Sequence, residues 1–174
     1  GNITIDSVTA DNQVTVTSAG AIDESATTDP GADIVAKTID LNAVTGIGAT
    51  RTLDVTAQSI TADTTGGSID IDSLATAAVT LASATTTGIG SIQFDQAGEQ
   101  TLTVTLATTT DGGIVITNDD DLNGRTISAG GTGKNISLVT TGNGDITLDS
   151  VTAAGDSVTV TSAGAINDST ATDT

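Results

Sequence analysis

The sequence predicts an all-β fold and, within that class, a parallel β-helix: a solenoid with roughly 22–24 residues per coil. Three observations predict it. The chain repeats its own beginning near its end, short runs of alternating apolar and polar residues recur along its length, and a single aromatic residue, Phe94, is present to fill a core. A β-helix leaves small apolar side chains in its inner rows, which this composition can supply.

The repeat is visible in the letters of the sequence. Residues 1–10 (GNITIDSVTA) return as residues 144–153 (GDITLDSVTA), and residues 14–22 (VTVTSAGAI) return unchanged as residues 158–166. The second match is displaced by one position relative to the first, because one residue is inserted near Gly155. We therefore expect residues 1–143 to form one repeat module and residues 144–174 to begin the next copy, continuous with the first, within a longer repetitive polypeptide.

Short runs of period-two alternation predict the strands. In each run the apolar residues would face inward and Thr, Asp or Ser outward, as in a half-buried strand. Successive runs lie about 11 residues apart when weaker strands near Ile22 and Ile127 fill two longer gaps, and two such steps make one coil. The inward residues are predicted to be Ile3, Ile5, Val14, Val16, Ile39, Leu41, Leu53, Val55, Ile69, Ile71, Val79, Leu81, Ile92, Phe94, Leu102, Val104, Leu106, Ile114, Ile116, Ile136, Leu138, Ile146, Leu148, Val158 and Val160.

An antiparallel β-sandwich, built as repeats, is the alternative, because sandwiches also have short strands at such intervals. Three features favour the β-helix: the long repeat indicates open-ended growth, Asn-Gly hairpin turns do not recur regularly, and the large aromatic residues of a sandwich core are missing. Glycines should occupy the corners between strands. Residues 23–33, which contain the turn sequence Thr-Asp-Pro-Gly, should leave the wall as a loop.

The charge of the chain restricts its partners. It carries 22 acidic and 4 basic residues, a net charge of −18. Nucleic acids and anionic lipids are bound through clustered Lys and Arg, so we expect neither as a partner. The sequence has no long apolar run that would predict membrane insertion.

The residue types present argue against an enzyme. There is no His and no Cys, so a Ser/His or Cys/His catalytic arrangement cannot form. Enzymes with a β-helical fold that cleave polysaccharides pair acids with basic groups and flank them with aromatic platforms. This chain has four basic residues and one Phe. We therefore expect neither catalytic nor cofactor-binding residues.

One local motif resembles a calcium loop. Asp119, Asp121 and Asn123, followed by Gly124, have the D-x-D-x-N-G spacing in which alternate side-chain oxygens converge and Gly permits a sharp turn. The match then fails, because the twelfth position is Gly130, not a bidentate Glu. Calcium bound by Asp119, Asp121 and Asn123 is one interpretation, and an acidic corner turn is the other.

A second candidate is a set of outward-facing aspartates on the predicted strands. If some of them stack on one face, like charges would lie about 5 Å apart, which is unfavourable unless cations or lateral offsets relieve it. A solvated acidic face is the simpler interpretation. The set comprises Asp6, Asp40, Asp54, Asp70, Asp72, Asp95 and Asp149.

The strings GDITLDSVTA, VTVTSAGAI, GGSIDIDS and DGGIVITN resemble the repeats of filamentous-haemagglutinin-like giant bacterial adhesins. The resemblance implies a right-handed parallel β-helix that forms the shaft of a secreted or surface-attached exoprotein. On this basis we expect a stiff, acidic, structural shaft segment outside the cell or on its surface, with neighbouring copies of the repeat as its partners. The alternative is an adhesin module that binds a glycan or a cell-surface partner and is stabilised by calcium.

Overall fold

The computed structural model describes residues 1–25 and 31–169, which form a parallel β-solenoid of about seven turns. Those residues contain strands and turns and no helix, hence none that could cross a membrane. The strands of the described residues are β1 (Ile3–Ile5), β2 (Val8–Thr9), β3 (Gln13–Ser18), β4 (Ala21–Glu24), β5 (Ile34–Val35), β6 (Thr38–Ala43), β7 (Gly46–Ile47), β8 (Leu53–Thr56), β9 (Ser59–Thr64), β10 (Ile69–Ser73), β11 (Val79–Thr86), β12 (Ile92–Gln96), β13 (Leu102–Thr109), β14 (Ile114–Asn118), β15 (Leu122–Ala129), β16 (Ile136–Thr140), β17 (Ile146–Ala153), β18 (Val158–Thr161) and β19 (Ile166–Asp168).

The strands form two walls, and the chain passes alternately from one to the other. The front wall has the order β1-β4-β7-β10-β12-β14-β16-β18, with β2, β5 and β8 paired beside its first coils. The back wall has the order β3-β6-β9-β11-β13-β15-β17-β19. Every pairing between these strands is parallel, which excludes the antiparallel sandwich for this part of the chain.

The coil length agrees with the sequence prediction of roughly 22–24 residues. On the front wall Ile69 pairs with Ile92, Ile92 with Ile114, and Ile114 with Ile136, so the first of these coils is one residue longer than the other two. On the back wall the step varies more, and is longer from Val14 to Ile39 than from Leu102 to Leu122. Turns between the strands absorb that variation, because a change within a strand would exchange its inner and outer faces.

The core is a continuous stack of aliphatic side chains between the two walls. Ile, Leu, Val and Ala occupy the inward positions, most of them fully buried, and Phe94 lies among them at 1% exposure. Leu106 is an exception to the predicted pattern. The back-wall strand β13 bends after Val104, so Ala107 faces inward and Leu106 is half-exposed.

Glycines at the corners allow consecutive coils to touch. A Cβ atom on Gly90 would lie 2.0 Å from the carbonyl oxygen of Gly67 in the coil before it, and one on Gly112 would lie 1.9 Å from the carbonyl oxygen of Gly90. No side chain fits at such a distance from a backbone atom. The glycines at this corner are thus required by close stacking of the backbone.

The predicted loop and the weaker strands need small corrections. Asp23 and Glu24, the first two residues of the predicted loop, belong to β4 and pair with Thr4 and Ile5. At its other end, the backbone of Asp33 hydrogen-bonds to Val8 and Asp54, just before β5 begins at Ile34. Residues 26–30, with the Thr-Asp-Pro-Gly turn up to Pro30, lie outside the described residues. The strand expected near Ile22 is β4, and the strand expected near Ile127 begins earlier, at Leu122.

Residues 144–169 continue the stack of coils without a break. β17 pairs with β15, β18 with β16, and β19 with β17, all in register. The residue inserted in the second copy lies near Gly155, in the turn between β17 and β18, where Gly155 has a φ of +87°. A turn can accept an extra residue without moving an inward side chain to the outside.

Candidate functional site

Three aspartates stack in one column on the outside of the front wall. Asp54 of β8 pairs with Asp72 of β10, and Asp72 pairs with Asp95 of β12. Each lies beside an inward aliphatic or aromatic residue of its own strand, so all three side chains point outward. Neighbouring strands are about 4.8 Å apart, which places these carboxylates close together. We call Asp54, Asp72 and Asp95 the acidic ladder.

Other carboxylates surround the acidic ladder. Asp70 precedes Asp72 by two positions on the same outer face of β10. Asp33 is buried at 1% exposure, and its Oδ2 accepts a hydrogen bond of 2.9 Å from the backbone N–H of Asp54. Asp119 follows β14 at the far end of the column, where Asp95 pairs with Thr117. The ladder therefore ends at Thr117, and its negative charge extends sideways through Asp70 and Asp119.

The surroundings raise the pKa values of Asp72 and Asp95 in the ladder and that of Asp70 beside it. The pKa of Asp72 rises to about 6, first because burial disfavours its charged form and then because Asp95, Asp54 and Asp70 repel that charge. Burial also raises the pKa of Asp95, with a further contribution from Asp119. For the pKa of Asp70 burial again dominates, partly opposed by a hydrogen bond from Thr52. Asp72, the central carboxylate of the ladder, is thus protonated at a higher pH than an ordinary aspartate.

Of the seven outward aspartates considered from the sequence, Asp54, Asp72 and Asp95 stack in one column. Asp40 and Asp149 lie on the back wall, in β6 and β17, and Asp6 lies after β1. Asp40 accepts a hydrogen bond of 2.8 Å from Asn42 Nδ2, and Asp6 accepts one of 3.2 Å from Ser25 Oγ.

The residues of the calcium motif are positioned by the coil beside them. Asp119 Oδ1 accepts a hydrogen bond of 2.6 Å from Thr141 Oγ1, and Asp121 Oδ1 accepts one of 2.8 Å from the backbone N–H of Asp145. Asn123 is already in β15, next to fully buried Leu122, and pairs with Thr103 and Thr147. The two aspartates thus secure the corner of the next coil.

Gly124 does not form the turn that the calcium interpretation assigns to it. It lies inside β15, in the inward column between Val104 and Leu148, without a positive φ. A Cβ there would lie 2.9 Å from Ile127 Cδ1. Gly124 is therefore a packing position within a strand. Within the described residues no group of three or more carboxylates is arranged to hold a metal ion, and calcium binding by this segment stays a prediction.

A row of buried polar side chains, not predicted from the sequence, lies at one corner. Gln96 Nε2 donates to the carbonyl oxygen of Ala75 at 3.0 Å, and Asn118 Nδ2 donates to that of Asp121 at 2.8 Å. A sequence signal for this row exists, since the period-two pattern ends on a polar residue in IDIDS, IQFDQ, IVITN and ISLVT. The row consists of Ser73, Gln96, Asn118 and Thr140, paired in register.

These polar residues close the strand ends. Gln96, Asn118 and Thr140 of the row donate to backbone carbonyl oxygens at the corners, and Thr140 Oγ1 donates to that of Gly144 at 2.8 Å. The buried Ser73 Oγ has no hydrogen-bond partner among the described residues. The back wall has a similar row, in which Thr86 Oγ1 donates to the carbonyl oxygen of Gly90 at 2.7 Å. Buried backbone acceptors need such partners. The row therefore maintains the corners of the solenoid.

No known protein family, curated protein or solved structure matches this chain.

Proposed function

We propose that this chain is a structural shaft segment of a long, repetitive bacterial filament or adhesin, secreted or held at the cell surface. The observation that carries the proposal is the continuity of the stack. The second copy begins within the solenoid: its strands β17 and β18 pair directly with β15 and β16 of the first copy, and β19 then pairs with β17. A module that can be followed by its own copy in this way can be extended to any length.

Mechanical stiffness would arise from the backbone. Each coil hydrogen-bonds to the coils on either side, and a continuous aliphatic core fills the space between the walls. Stability in such a stack is the sum of contributions from each coil and from its contacts with neighbours. The net charge of −18 would keep neighbouring rods apart and in solution.

The partners that this proposal requires are neighbouring copies of the repeat. The last coil of the described residues leaves apolar side chains uncovered, with Val158 at 42% and Ile166 at 57% exposure. Their first-copy equivalents, Val14 and Ile22, are 7% and 0% exposed, since further coils cover them. We expect isolated chains to associate end to end through these coils.

Rod length tests the proposal directly. Chains with one, two and three modules are imaged by negative-stain electron microscopy, and each added module should lengthen a particle of constant width by about 31 Å, six and a half coils at about 4.8 Å. Constant width with proportional length supports a shaft. Globular or branched particles would contradict it.

The second candidate function is binding of a glycan or protein partner, stabilised by calcium. Two features favour it: residues 25–33 separate β4 from β5, and the acidic corner at residues 119–124 is rich in carboxylates. A glycan array probed with the intact chain, with a variant lacking residues 26–30 and with Asp119→Asn separates the two functions. A pure shaft binds nothing on the array, whereas a binding module loses its signal in one variant.

A further inference from the structure

The two copies of the repeated sequence lie on opposite walls of the solenoid. Residues 14–17 belong to β3 on the back wall, whereas their copy, β18, lies on the front wall. In the same way Ile22 lies in β4 on the front wall and its copy, Ile166, in β19 on the back wall. The same letters therefore reappear after half a turn, not after a whole number of turns.

The cause is an odd number of crossings between the walls. We call each stretch of chain that runs along one wall a pass, and two kinds of pass alternate along the chain. One is straight, such as β3, β6, β12 and β14, and the other is interrupted or bent, such as β4 with β5 or the long strands β13 and β15. In the first three coils the interrupted passes are on the front wall, and from β11 onward the bent passes are on the back wall.

The exchange takes place at β9 and β10, two straight passes in succession. β10 is continuous but pairs with both parts of an interrupted pass, Ile69 with Ile47 of β7 and Ile71 with Leu53 of β8. On the other wall, straight β9 meets bent β11, and the register shifts between Leu81 and Ser83. From β1 to its copy β17 the chain crosses between the walls thirteen times, which is six and a half coils.

We propose that successive modules of the array are turned by half a revolution about the rod axis, so that the structural period is two modules. Every surface feature then recurs on alternating sides of the rod. The acidic ladder, which lies on the front wall in the first copy, would lie on the back wall in the second.

This inference rests on the proposed function only for the existence of a longer array, because the half-turn can be measured in this chain itself. The chain has no native Cys, so spin labels can be placed at chosen sites. The test pair is Thr15→Cys with Thr159→Cys, equivalent residues of the two copies that are both exposed on their strands. Pulsed electron–electron double resonance measures the distance between the two labels.

The control pair is Gln13→Cys with Thr147→Cys. Both lie on the back wall in one register column, which runs through Thr38, Ser59, Thr80, Thr103 and Asn123. Six steps along that column give about 29 Å. The test pair has nearly the same axial separation, about 31 Å. Its two labels lie on opposite walls, about 10 Å apart, and point in opposite directions, so the distance between them should be about 40 Å.

A test distance longer than the control distance by about 10 Å supports the half-turn. Equal distances of about 30 Å for both pairs would overturn it, because six coils along one wall give that value and the two copies would then share a wall. A twist of the stack about its axis lengthens the control distance and shortens the test distance, so the wall is judged from both distances and not from their difference alone. Circular dichroism of the labelled chains confirms that they keep their β-structure. The result is independent of rod imaging, so the half-turn and the shaft proposal can fail separately.

Discussion

Replacing the central aspartate of the acidic ladder should stabilise the protein at neutral pH. Asp72 has a pKa of about 6 in the folded chain, against 3.8 for an ordinary aspartate. A carboxyl whose folded pKa is raised binds its proton more tightly in the folded than in the unfolded state. The contribution of Asp72 to stability is therefore most favourable below about pH 4, declines as the pH rises from about 4 to about 6, and carries the full penalty above that.

The size of the penalty follows from the shift. About two pKa units would correspond to about 3 kcal/mol if the carboxylate were fully shielded from water. Asp72 is half-exposed, so solvent screening reduces the effect to about 1 kcal/mol. Asp72→Asn removes the charge with little change of shape. At pH 7.5 it should raise the melting temperature by about 2–4 °C in a chain of this length.

Thermal melts of the wild type and of Asp72→Asn, followed by circular dichroism in chelator between pH 4 and pH 8, measure this difference. The gain should be present at pH 7.5 and disappear at pH 4, where Asp72 is protonated. Asp11→Asn is the control, because it removes the same charge at an exposed turn away from the ladder. An equal gain from Asp11→Asn would assign the effect to net charge. No gain from Asp72→Asn would refute the raised pKa of Asp72, to which burial and repulsion within the ladder both contribute.

Three further outcomes are expected. Gly90→Ala should lower the free energy of unfolding by about 3 kcal/mol, because its Cβ would clash with a backbone oxygen. Gly133→Ala has open space but a φ of +74°, and should lower it by about 1–2 kcal/mol. Chemical denaturation measures both values, and equal decreases would contradict close stacking at Gly90. If Asp119 and Asp121 bind calcium, calorimetry will show calcium binding, and Asp119→Asn will weaken it. Removal of calcium with a chelator will then lower the melting temperature. No change in either measurement would exclude the site. Ile166→Lys should reduce end-to-end association in light scattering at high concentration, and a wild-type chain that is already a clean monomer would contradict that association.

Much of the fold could be predicted because a solenoid repeats one simple rule. Period-two alternation places Ile69, Ile71, Ile92 and Phe94 inward, and the structure agrees since each of their strands is short and straight. The rule fails where a strand bends. Leu106 continues the alternation in sequence, yet the bend of β13 moves it to the outside. Nothing in the letters TLTVTLATT marks that bend, which depends on stacking against β11 and β15.

The candidate sites were predictable to a different degree. Outward aspartates could be recognised from the alternation. The alternation does not tell which of them share a column, because the column of a residue depends on coil lengths, which vary along the chain. Asp54, Asp72 and Asp95 meet on the front wall while Asp40 lies on the back wall. The calcium motif has a similar limit. Its spacing assumes a turn at Gly124, whereas pairing with β13 and β17 draws Asn123 and Gly124 into a strand.

The half-turn between modules would also limit the electrostatic cost of the acidic ladder. A ladder repeated on the same wall in every module would place its negative charges in one line along the rod. With alternating walls, the ladders of adjacent modules lie on opposite sides, and the repulsion stays within the three coils of each ladder. The local cost at Asp72 is then a fixed amount for each module, so the free energy of unfolding of an array should increase in proportion to the number of modules.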